Sequence, residues 1–348
     1  MKKEYQAGFF DWDIRLKRIS DLKNPLDSIS WLIDWELFRP VLMEGVVVSA
    51  EDKGGRPSFD RLMMFKILIL QQVYGLSDEQ AEFQITDRLS FMNFLGLSIT
   101  DQVPDARTIW YFREQLTKNG TIDKLFTRFI SRLEKEGLIL NKGRMIDASF
   151  VQAPIQRNSR DENQQIKTTG EKPADWSEGK ARQKDVDANW TKKNDVSFYG
   201  YKNHIKVDKN SKLIVDFQTT PASVHDSQVM PELLDEKDKG QRLYADSAYH
   251  SKDIDERIKE LHIKPRIHEK GSRNHPLTNQ QKASNKNKSK CRARVEHVFA
   301  SLKNFGSRMQ VKCIGLQRAT AVITLQNITY NIMRVKYLAK LQGRSLPI

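Results

Sequence analysis

The sequence has little cysteine, no long apolar run and too few acidic residues to balance its basic ones. Its two cysteines, Cys291 and Cys313, are too few for a disulfide framework and do not stand at a metal-ligand spacing. The longest apolar stretch, residues 62–70, contains a lysine and is far shorter than a membrane span. Residues 1–15 lack the apolar core of a signal peptide. We therefore expect a cytoplasmic, nucleoid-associated protein with no membrane partner.

The excess of basic residues is the clearest feature of the composition. Lys and Arg number 58 against 44 Asp and Glu, which gives a formal net charge of +14 and a pI near 9.6. A basic surface attracts polyanions, of which nucleic acid is the commonest large one. A generally basic soluble protein remains the alternative. The 348 residues, 39% of them hydrophobic, suit two domains or one domain with a large appendage.

Residues 25–140 show the spacing of a series of short helices. Ser77–Gln80 has the form of a capping box, and Pro57 is well placed to start a helix. A further helix follows Asp105 and carries Ile109, Phe112 and Leu116 as its core face. Short helices separated by tight turns are typical of a helix-turn-helix module, although a plain helical scaffold would give the same pattern.

From residue 143 the pattern changes to that of strands alternating with helices. Residues 145–151 read as a strand, and 199–207 with 213–219 read as a hairpin. Between them, residues 155–197 have almost no aliphatic side chains and predict a flexible polar excursion. Helices are then predicted at 225–238, 251–261, 290–304 and 316–341, and strands at 242–245 and 263–267. This order predicts a mixed α/β sheet flanked by helices.

Three carboxylates occupy positions that suggest chemistry. Asp147 lies within the first predicted strand and Asp246 ends the fourth, where ligands of open α/β sheets collect. Glu296 shares one face of a predicted helix with Arg292 and Lys303, within about 40° of each other. Carboxylates bind hard divalent cations, and the flanking cations suit phosphate. The alternatives are structural aspartates beside a lysine and a solvated Arg–Glu pair.

This arrangement resembles the DDE transposases of bacterial insertion sequences. Arg292, Glu296 and Lys303 stand at the R-x3-E-x6-K spacing of the C-terminal signature in that group. Other segments resemble the insertion-sequence-five family, within the insertion-sequence-four-like superfamily. They are 198–208 (FYGYKNHIKVD), 224–227 (VHDS), 244–249 (YADSAY) and, upstream, 55–57 (GRP), 76–78 (LSD), 87–91 (DRLSF), 94–97 (FLGL) and 112–113 (FR). The likeness covers roughly residues 25–335, and the order and spacing of the segments make it specific.

The resemblance implies a fold and a domain organisation. It implies an α/β protein with a ribonuclease-H-like mixed-sheet catalytic domain and an all-α N-terminal DNA-binding domain. The expected limits are 1–140 for the helical DNA-binding domain, 141–335 for the catalytic domain and 336–348 for a C-terminal tail. The expected activity is metal-dependent cleavage of DNA at the ends of an insertion sequence and joining of the freed 3′ ends to target DNA.

The resemblance also implies the cofactor and the catalytic residues. Two Mg²⁺ ions, about 4 Å apart, would activate the nucleophile and stabilise the leaving oxygen, and Mn²⁺ is expected to substitute. Asp147 would bind both ions, while Asp246 and Glu296 would each bind one. Arg292 and Lys303 would contact phosphate near the cut. His204 and His225 are expected to be structural or to contact DNA rather than to act as acid and base.

Double-stranded DNA, both element ends and target, is the expected partner. Residues 264–294 contain ten Lys or Arg and one acid, and this segment leads into the helix of Glu296. We expect DNA contacts there from Lys282, Lys286, Lys288, Lys290 and Arg294. The helix at 105–116 is the candidate for reading the terminal repeats, through Arg107, Tyr111 and Arg113. A homodimer or higher oligomer is expected on DNA.

Two departures and two rival functions remain. The signature in related transposases has a Tyr three residues before the Arg, where this chain has Ser289. The stretch after Asp246 is Ser-Ala-Tyr, where related transposases often carry a basic or glycine residue. Its Tyr249 could stack on a displaced base, but a packed core position is favoured. A catalytically silent, domesticated DNA-binding protein is one rival, although all three carboxylates are present. A nuclease of the same fold that cuts without joining is the other.

Overall fold

The computed structural model describes residues 8, 10–45, 58–153, 156–193, 195–249, 251–272, 276–343 and 348. Residues 55–57, one of the motifs of the resemblance and the predicted helix start at Pro57, lie outside this part of the chain. In the described part, no helix combines the length and apolar character that crossing a bilayer requires.

The N-terminal part consists of helices and their connecting turns in its described residues. Asp60 caps α4 and accepts a hydrogen bond from the Met63 amide, while Ser77 and Gln80 form the predicted capping box of α5. The predicted core face of α7, Ile109, Phe112 and Leu116, is buried. The helices are α1 (Asp11–Asp21), α2 (Pro25–Leu32), α3 (Arg39–Gly45), α4 (Arg61–Tyr74), α5 (Asp78–Asp87), α6 (Leu89–Leu95), α7 (Ala106–Lys118) and α8 (Thr121–Lys135).

The rest of the chain forms a mixed sheet with flanking helices, as predicted. The hairpin is confirmed, with its turn at 209–213. The elements are β1 (Arg144–Gln152), α9 (Arg160–Thr169), α10 (Glu178–Gln183), β2 (Asn189–Lys193), β3 (Val196–Asp208), β4 (Ile214–Pro221), α11 (Asp226–Leu233), β5 (Arg242–Tyr244), α12 (Lys252–Glu260), β6 (Lys264–Pro265), α13 (Asn279–Asn304) and α14 (Leu316–Gln342).

The order of the strands places β1 at the centre of the sheet. It pairs antiparallel with β3 and parallel with β5, and β5 pairs parallel with β6. Strand β3 also pairs antiparallel with β2 and β4. Gly200 of β3 has a φ of +141°, and a Cβ there would overlap the carbonyl oxygen of Val151 on β1. The close approach of β1 and β3 therefore requires glycine at this position.

A shared hydrophobic core crosses the predicted boundary at residue 140. One cluster of buried side chains includes Phe65 and Phe129 from the N-terminal helices and Met145 and Val207 from the sheet. Helix α14 contacts α2, α4, α7 and α8 as well as β4. The last residue, Ile348, is buried and exchanges backbone hydrogen bonds with the region of Leu32 and Asp34. The domain limits stay a prediction, but the core packing is continuous across them.

The prediction of a flexible excursion at 155–197 is wrong for its described residues, because they carry α9, α10 and β2. Hydrogen bonds hold the segment where apolar side chains are scarce. The Asn158 amide donates to the Asp185 carbonyl at 2.6 Å, and the Trp190 indole donates to the Asn158 carbonyl at 2.7 Å. The Tyr201 hydroxyl on β3 donates to the Asp185 carboxylate at 2.6 Å. A polar segment is thus ordered by partners that composition does not reveal.

Helix α13 is longer than predicted. It begins at Asn279 rather than near Lys290, and a capping box between Thr278 and Gln281 fixes that start. The basic segment 264–294 is therefore helical from Asn279 onward, eleven residues before the predicted start of the helix. The first part of the helix could not be predicted from apolar periodicity, because its residues are polar and the apolar stripe appears only from Val295 onward.

Candidate active site

Two strands place Asp147 and Asp246 at the same edge of the sheet. In the parallel pairing of β1 with β5, Met145 lies opposite Tyr244. Asp147 and Asp246 each follow two residues after that pair, so both carboxylates reach the same level. The Asp147 side chain is only 15% exposed. Backbone amides orient both groups, with Ala148 donating to Asp147 at 2.9 Å and Ala248 donating to Asp246 at 2.8 Å.

Helix α13 brings the third carboxylate to this edge. Its buried residues, at helical spacing, pack in the same core cluster as Met145 of β1 and Tyr244 of β5. Arg292 and Glu296 lie one turn apart beside this apolar stripe, so the packing that anchors the helix also aims them at the strand ends. The buried residues of the stripe are Val295, Val298, Phe299 and Leu302.

The Arg292 guanidinium links all three carboxylates. Its nitrogens lie 3.9 Å from an Asp147 oxygen, 3.9 Å from an Asp246 oxygen and 3.7 Å from a Glu296 oxygen. We call Asp147, Asp246 and Glu296 the carboxylate cluster. These distances are longer than hydrogen bonds, so the cation attracts the cluster without being locked to it. The three carboxylates thus converge on one side chain, although they come from a strand, the turn after a strand and a helix. Asp147 and Glu296 are 149 positions apart in the sequence.

The charge of the carboxylate cluster is only partly compensated. Burial raises the pKa of Asp147 to about 6, and the negative charge of Asp246 adds to that shift. Arg292, the Ala148 amide and the Lys193 ammonium act in the opposite direction and favour the charged form. Glu296 is 64% exposed and opens the cluster to solvent. Three carboxylates face one guanidinium here, which leaves negative charge for a further cation to neutralise.

The described residues do not form a ready metal site. No group of three His, Cys, Asp or Glu side chains in that part of the chain has the spacing to hold a metal ion. The guanidinium of Arg292 stands among the carboxylates instead. The chemistry of the donor set still fits a hard divalent cation, because all three side chains offer oxygen ligands.

Tyr249 forms part of the buried wall next to the carboxylate cluster. Its ring is fully buried in a second hydrophobic cluster that includes Ile146 and Ile254, which confirms the expectation of a core position. Burial is the main cause that raises its pKa well above the ordinary value, followed by the charges of Asp147, Asp226 and Asp246. Tyr249 is therefore a neutral wall residue and is not exposed for stacking on a base.

The two histidines near the sheet have structural positions, as expected. Burial lowers the pKa of His204 to about 4, so the ring is neutral at physiological pH. Its Nε2 lies 2.9 Å from the Thr220 hydroxyl. His225 caps α11, with Nδ1 accepting a hydrogen bond from the Ser227 amide.

Three residues predicted to contact DNA are engaged within the protein. Arg113 forms a two-pronged ion pair with Asp78, at 2.7 and 2.8 Å, which ties α7 to α5. Lys288 is only 14% exposed and donates to the Ile267 carbonyl and to Glu269. Arg113 and Lys288 thus have partners within the protein, and their contacts with DNA stay predictions. Arg292 lies close to all three carboxylates of the cluster, and its contact with phosphate stays a prediction.

The other predicted DNA-contacting side chains are exposed. Arg294 donates to the Lys209 carbonyl, and its charged side chain still lies at the surface. Lys303 lies two turns beyond Glu296 on the same face of α13. Their contacts with DNA stay predictions. The exposed set is Arg107, Lys282, Lys286, Lys290, Arg294 and Lys303.

Sequence reasoning missed an aromatic pair between β1 and β3. Phe150 of β1 and Phe198 of β3 stack with ring centroids 4.3 Å apart and an angle of 11° between the rings. Phe150 points to the face of β1 opposite to Asp147, because side chains alternate along a strand. Two aromatic side chains 48 positions apart give no local sign that they stack.

Comparison with known proteins places the chain in a family. Residues 141–332 match the family described as "Transposase DDE domain", and residues 14–115 match one described as "Transposase domain". A distant likeness also exists to the solved structure described as "Cryo-EM structure of piggyBac transposase synaptic complex with hairpin DNA". It has 11% identity and a TM-score of 0.46, and it covers 92% of this chain and 75% of that one. The first match spans more than half of the sequence and includes all of the carboxylate cluster, so this chain belongs to the DDE transposase family.

Proposed function

We propose that the protein binds the ends of an insertion sequence, cleaves DNA there and joins the freed 3′ ends to target DNA. The observation that carries the proposal is the convergence of Asp147, Asp246 and Glu296 on Arg292. A purely structural ion pair does not require three carboxylates from three separate elements, one of them buried and raised in pKa. The motifs quoted above support assignment to the insertion-sequence-five family.

We assign the sheet to the ribonuclease-H-like class on its strand order. The sequence β4-β3-β1-β5-β6 has three antiparallel strands followed by two parallel to β1. In this arrangement the central strand and its parallel neighbour offer their carboxyl ends to one site. The positions of Asp147 and Asp246 fit that geometry.

The carboxylate cluster would hold the divalent cations, Mg²⁺ with Mn²⁺ as a substitute. When bound, such ions lower the pKa of a nucleophilic water or hydroxyl and stabilise the leaving oxygen in a phosphodiester displacement. The protein supplies oxygen ligands on rigid elements, with backbone amides orienting both aspartates. Arg292 compensates part of the negative charge of the cluster, and it is placed to attract the phosphate group that enters with the DNA.

Basic surfaces on α13 and α7 would hold the DNA. On α13, Lys282, Lys286 and Lys290 recur every four residues and stay exposed on a helix that leads into the carboxylate cluster. On α7, Arg107 and Tyr111 are exposed while the opposite face is buried. Because an insertion sequence has two ends, we propose a homodimer or higher oligomer on DNA.

The test is a cleavage and strand-transfer assay with DNA that carries the inverted repeats flanking the gene. The full-length protein should release labelled 3′ ends and join them to a target plasmid in Mg²⁺ or Mn²⁺, and EDTA should stop both steps. Asp147→Asn should lose both activities, while the exposed control Asp255→Ala on α12 should keep them.

Three outcomes separate the proposal from its rivals. Cleavage without joined products would indicate a nuclease. Binding without cleavage at any metal concentration would indicate a silent DNA-binding protein. Equal cleavage by wild type and Asp147→Asn would contradict the assignment of the carboxylate cluster.

A further inference from the structure

A third histidine, His268, extends the row of the two aspartates across the sheet. Beyond β6 the chain keeps the hydrogen bonds of parallel pairing with β5, because the His268 amide donates to the Ala245 carbonyl at 3.2 Å. The register of β5 with β6, continued to this point, sets His268 opposite Asp246. Asp147, Asp246 and His268 therefore lie at one level on three neighbouring stretches of extended chain.

The His268 side chain points to the same face of the sheet as Asp147. Side chains alternate along an extended strand. Ile267, just before His268, is buried in the same hydrophobic cluster as Ile146, just before Asp147. Met145, two residues before Asp147, instead belongs to the core cluster that includes the buried residues of α13. Asp147 and His268 therefore both face α13.

One face of α13 meets this row at successive turns. Asn285, Ser289 and Arg292 recur at spacings of four and three residues. Asn285 exchanges hydrogen bonds with the backbone of Glu269 at 2.9 and 3.0 Å. The Ser289 hydroxyl lies 3.3 Å from His268 Nε2, and Arg292 reaches the carboxylate cluster. We call His268 and Ser289 the His–Ser pair, and it lies one helical turn from Arg292, about 5 Å along the helix axis.

The charges around the carboxylate cluster act on the His268 ring. Burial is the largest cause that lowers its pKa, the charges of Arg292 and Lys288 lower the pKa further, and Asp246 opposes them. The ring is therefore neutral at physiological pH and can offer a hydrogen bond without adding charge. It is partly exposed and the Ser289 side chain is fully exposed, so a ligand can reach both.

The His–Ser pair suits an oxygen atom of a phosphate. A neutral imidazole has an N–H donor and a serine has an O–H donor, and two donors 3.3 Å apart can both meet one anionic oxygen. A hard cation would prefer the carboxylate oxygens nearby. Lys286 is exposed one turn before Ser289. A DNA strand that runs from this lysine to the carboxylate cluster passes the pair.

We infer that the His–Ser pair contacts a DNA phosphate next to the cleaved one and positions the strand in the carboxylate cluster. This inference rests on the proposed function, since it needs DNA at that cluster. Phosphate contacts carry no sequence information, but they fix the register of a protein on the strand. The inference also gives a role to Ser289, where related transposases carry Tyr, because the small side chain leaves room for His268 to approach α13.

Methylphosphonate interference tests the inference without requiring catalysis. The probe is duplex DNA with the inverted repeats that flank the gene, in which one phosphate at a time near the cut is replaced by a neutral methylphosphonate. Binding is measured by gel shift with full-length Asp147→Asn protein, which should not cleave. One replacement should weaken binding roughly 10-fold, the loss expected for a hydrogen bond to a charged oxygen. Adding His268→Ala should weaken binding of unmodified DNA similarly, and the two changes together should cost no more than either alone.

Matched variants separate a phosphate contact from a loss of structure. Ser289→Ala changes an exposed helical residue, so it should keep the melting temperature and show the same coupling at the same phosphate. His268→Gln retains an N–H donor and should restore part of the binding. The control His262→Asn removes an exposed histidine just before β6, where asparagine tolerates the φ of +50°, and should show no coupling at any phosphate.

The outcomes distinguish this inference from the proposed function. Additive losses at every phosphate in both His268→Ala and Ser289→Ala would overturn the His–Ser pair, while cleavage is judged by its own assay. Weaker binding of Mn²⁺ by DNA-free His268→Ala, measured by electron paramagnetic resonance, would make the ring a cation ligand and would also overturn the inference. A protein that does not bind end DNA would overturn both proposals.

Discussion

Two clusters of charged side chains include residues of β1 that point to opposite faces of the sheet, and they are built differently. In the first, Arg144 donates to Asp208 at 3.1 Å and to Asp238 at 2.9 Å, while Lys206 donates to Asp238 at 3.0 Å. We call these four residues the buried ion network. In the carboxylate cluster, Arg292 approaches its partners only to between 3.7 and 3.9 Å.

The difference teaches how a structural ion pair and a functional one can be told apart. In the buried ion network each charge has a partner at hydrogen-bond distance, and Arg144 and Asp208 are nearly inaccessible. The carboxylate cluster has excess negative charge, longer contacts, an exposed Glu296 and a raised pKa at Asp147. A saturated network has nothing left to bind, whereas an unsaturated cluster retains capacity for a ligand.

The largest expected effect is on catalysis. Asp147→Asn, Asp246→Asn and Glu296→Gln should each lower the rate of DNA cleavage by at least about 10⁴-fold, or about 5.5 kcal/mol of transition-state stabilisation. Each substitution removes a proposed cation ligand while preserving shape. Gel-shift assays should show that binding of end DNA is kept. A variant that cleaves at the wild-type rate would remove its residue from the active site.

The next effect is on stability, in the buried ion network. Arg144→Met should lower the free energy of unfolding by about 3 to 5 kcal/mol, because it leaves buried carboxylates without their partner. Urea denaturation measures this change. The comparison is Arg292→Met, which should cost far less, since its contacts are long and Glu296 is solvated. Equal losses in the two variants would contradict the distinction between the clusters.

A smaller stability effect, of opposite sign, is expected from Asp147→Asn without divalent cations. The folded protein raises the pKa of Asp147 from 3.8 to about 6, so it favours the neutral form. Ionisation then costs stability as pH rises through that range. The variant avoids this cost and should be more stable than wild type by about 2 to 3 kcal/mol above pH 7.

Thermal melting across pH checks this prediction. The difference in melting temperature should nearly vanish below pH 4, grow as the pH rises from 4 to 6 and stay constant above pH 7. Adding Mg²⁺ should stabilise wild type more than Asp147→Asn, since the proposed ligand is missing from the variant. A constant difference at every pH would show that ionisation of Asp147 is not its cause.

The smallest effect concerns the exposed lysines of α13. Lys282, Lys286 and Lys290 changed together to Gln should reduce the slope of log affinity against log salt by about 2 to 3, at roughly 0.9 for each phosphate contact. Lys288 is left unchanged because it is engaged inside the protein. The loss should be similar on end DNA and random DNA.

A matched triple variant on α8 and α12 controls for net charge. Lys124 and Lys135 on α8 and Lys259 on α12 are also exposed on helices. Their change to Gln should leave the salt dependence nearly unaltered. The same slope in both triple variants would indicate that α13 has no special part in holding DNA.

Local patterns determined much of the fold from the sequence alone. Alternating strands, the β3–β4 hairpin and the capping box of Ser77 follow from side chains within a few residues of one another. The order of Asp147, Asp246 and Glu296, with their flanking motifs, was also sufficient to indicate the family that residues 141–332 match. The roles of these residues stay a prediction, because no local pattern distinguishes a ligand from a structural carboxylate.

Only the tertiary structure decided which polar side chains are already engaged. Arg113 meets Asp78 from 35 positions away, and Lys288 meets Ile267 from 21 positions away. The hydrogen bonds of Asn158 order a segment whose composition indicates flexibility. Apolar periodicity is short-ranged and can be read along the chain. The partner of a charge or a buried amide is set by the folded path of the backbone, which brings distant residues to within 3 Å of each other.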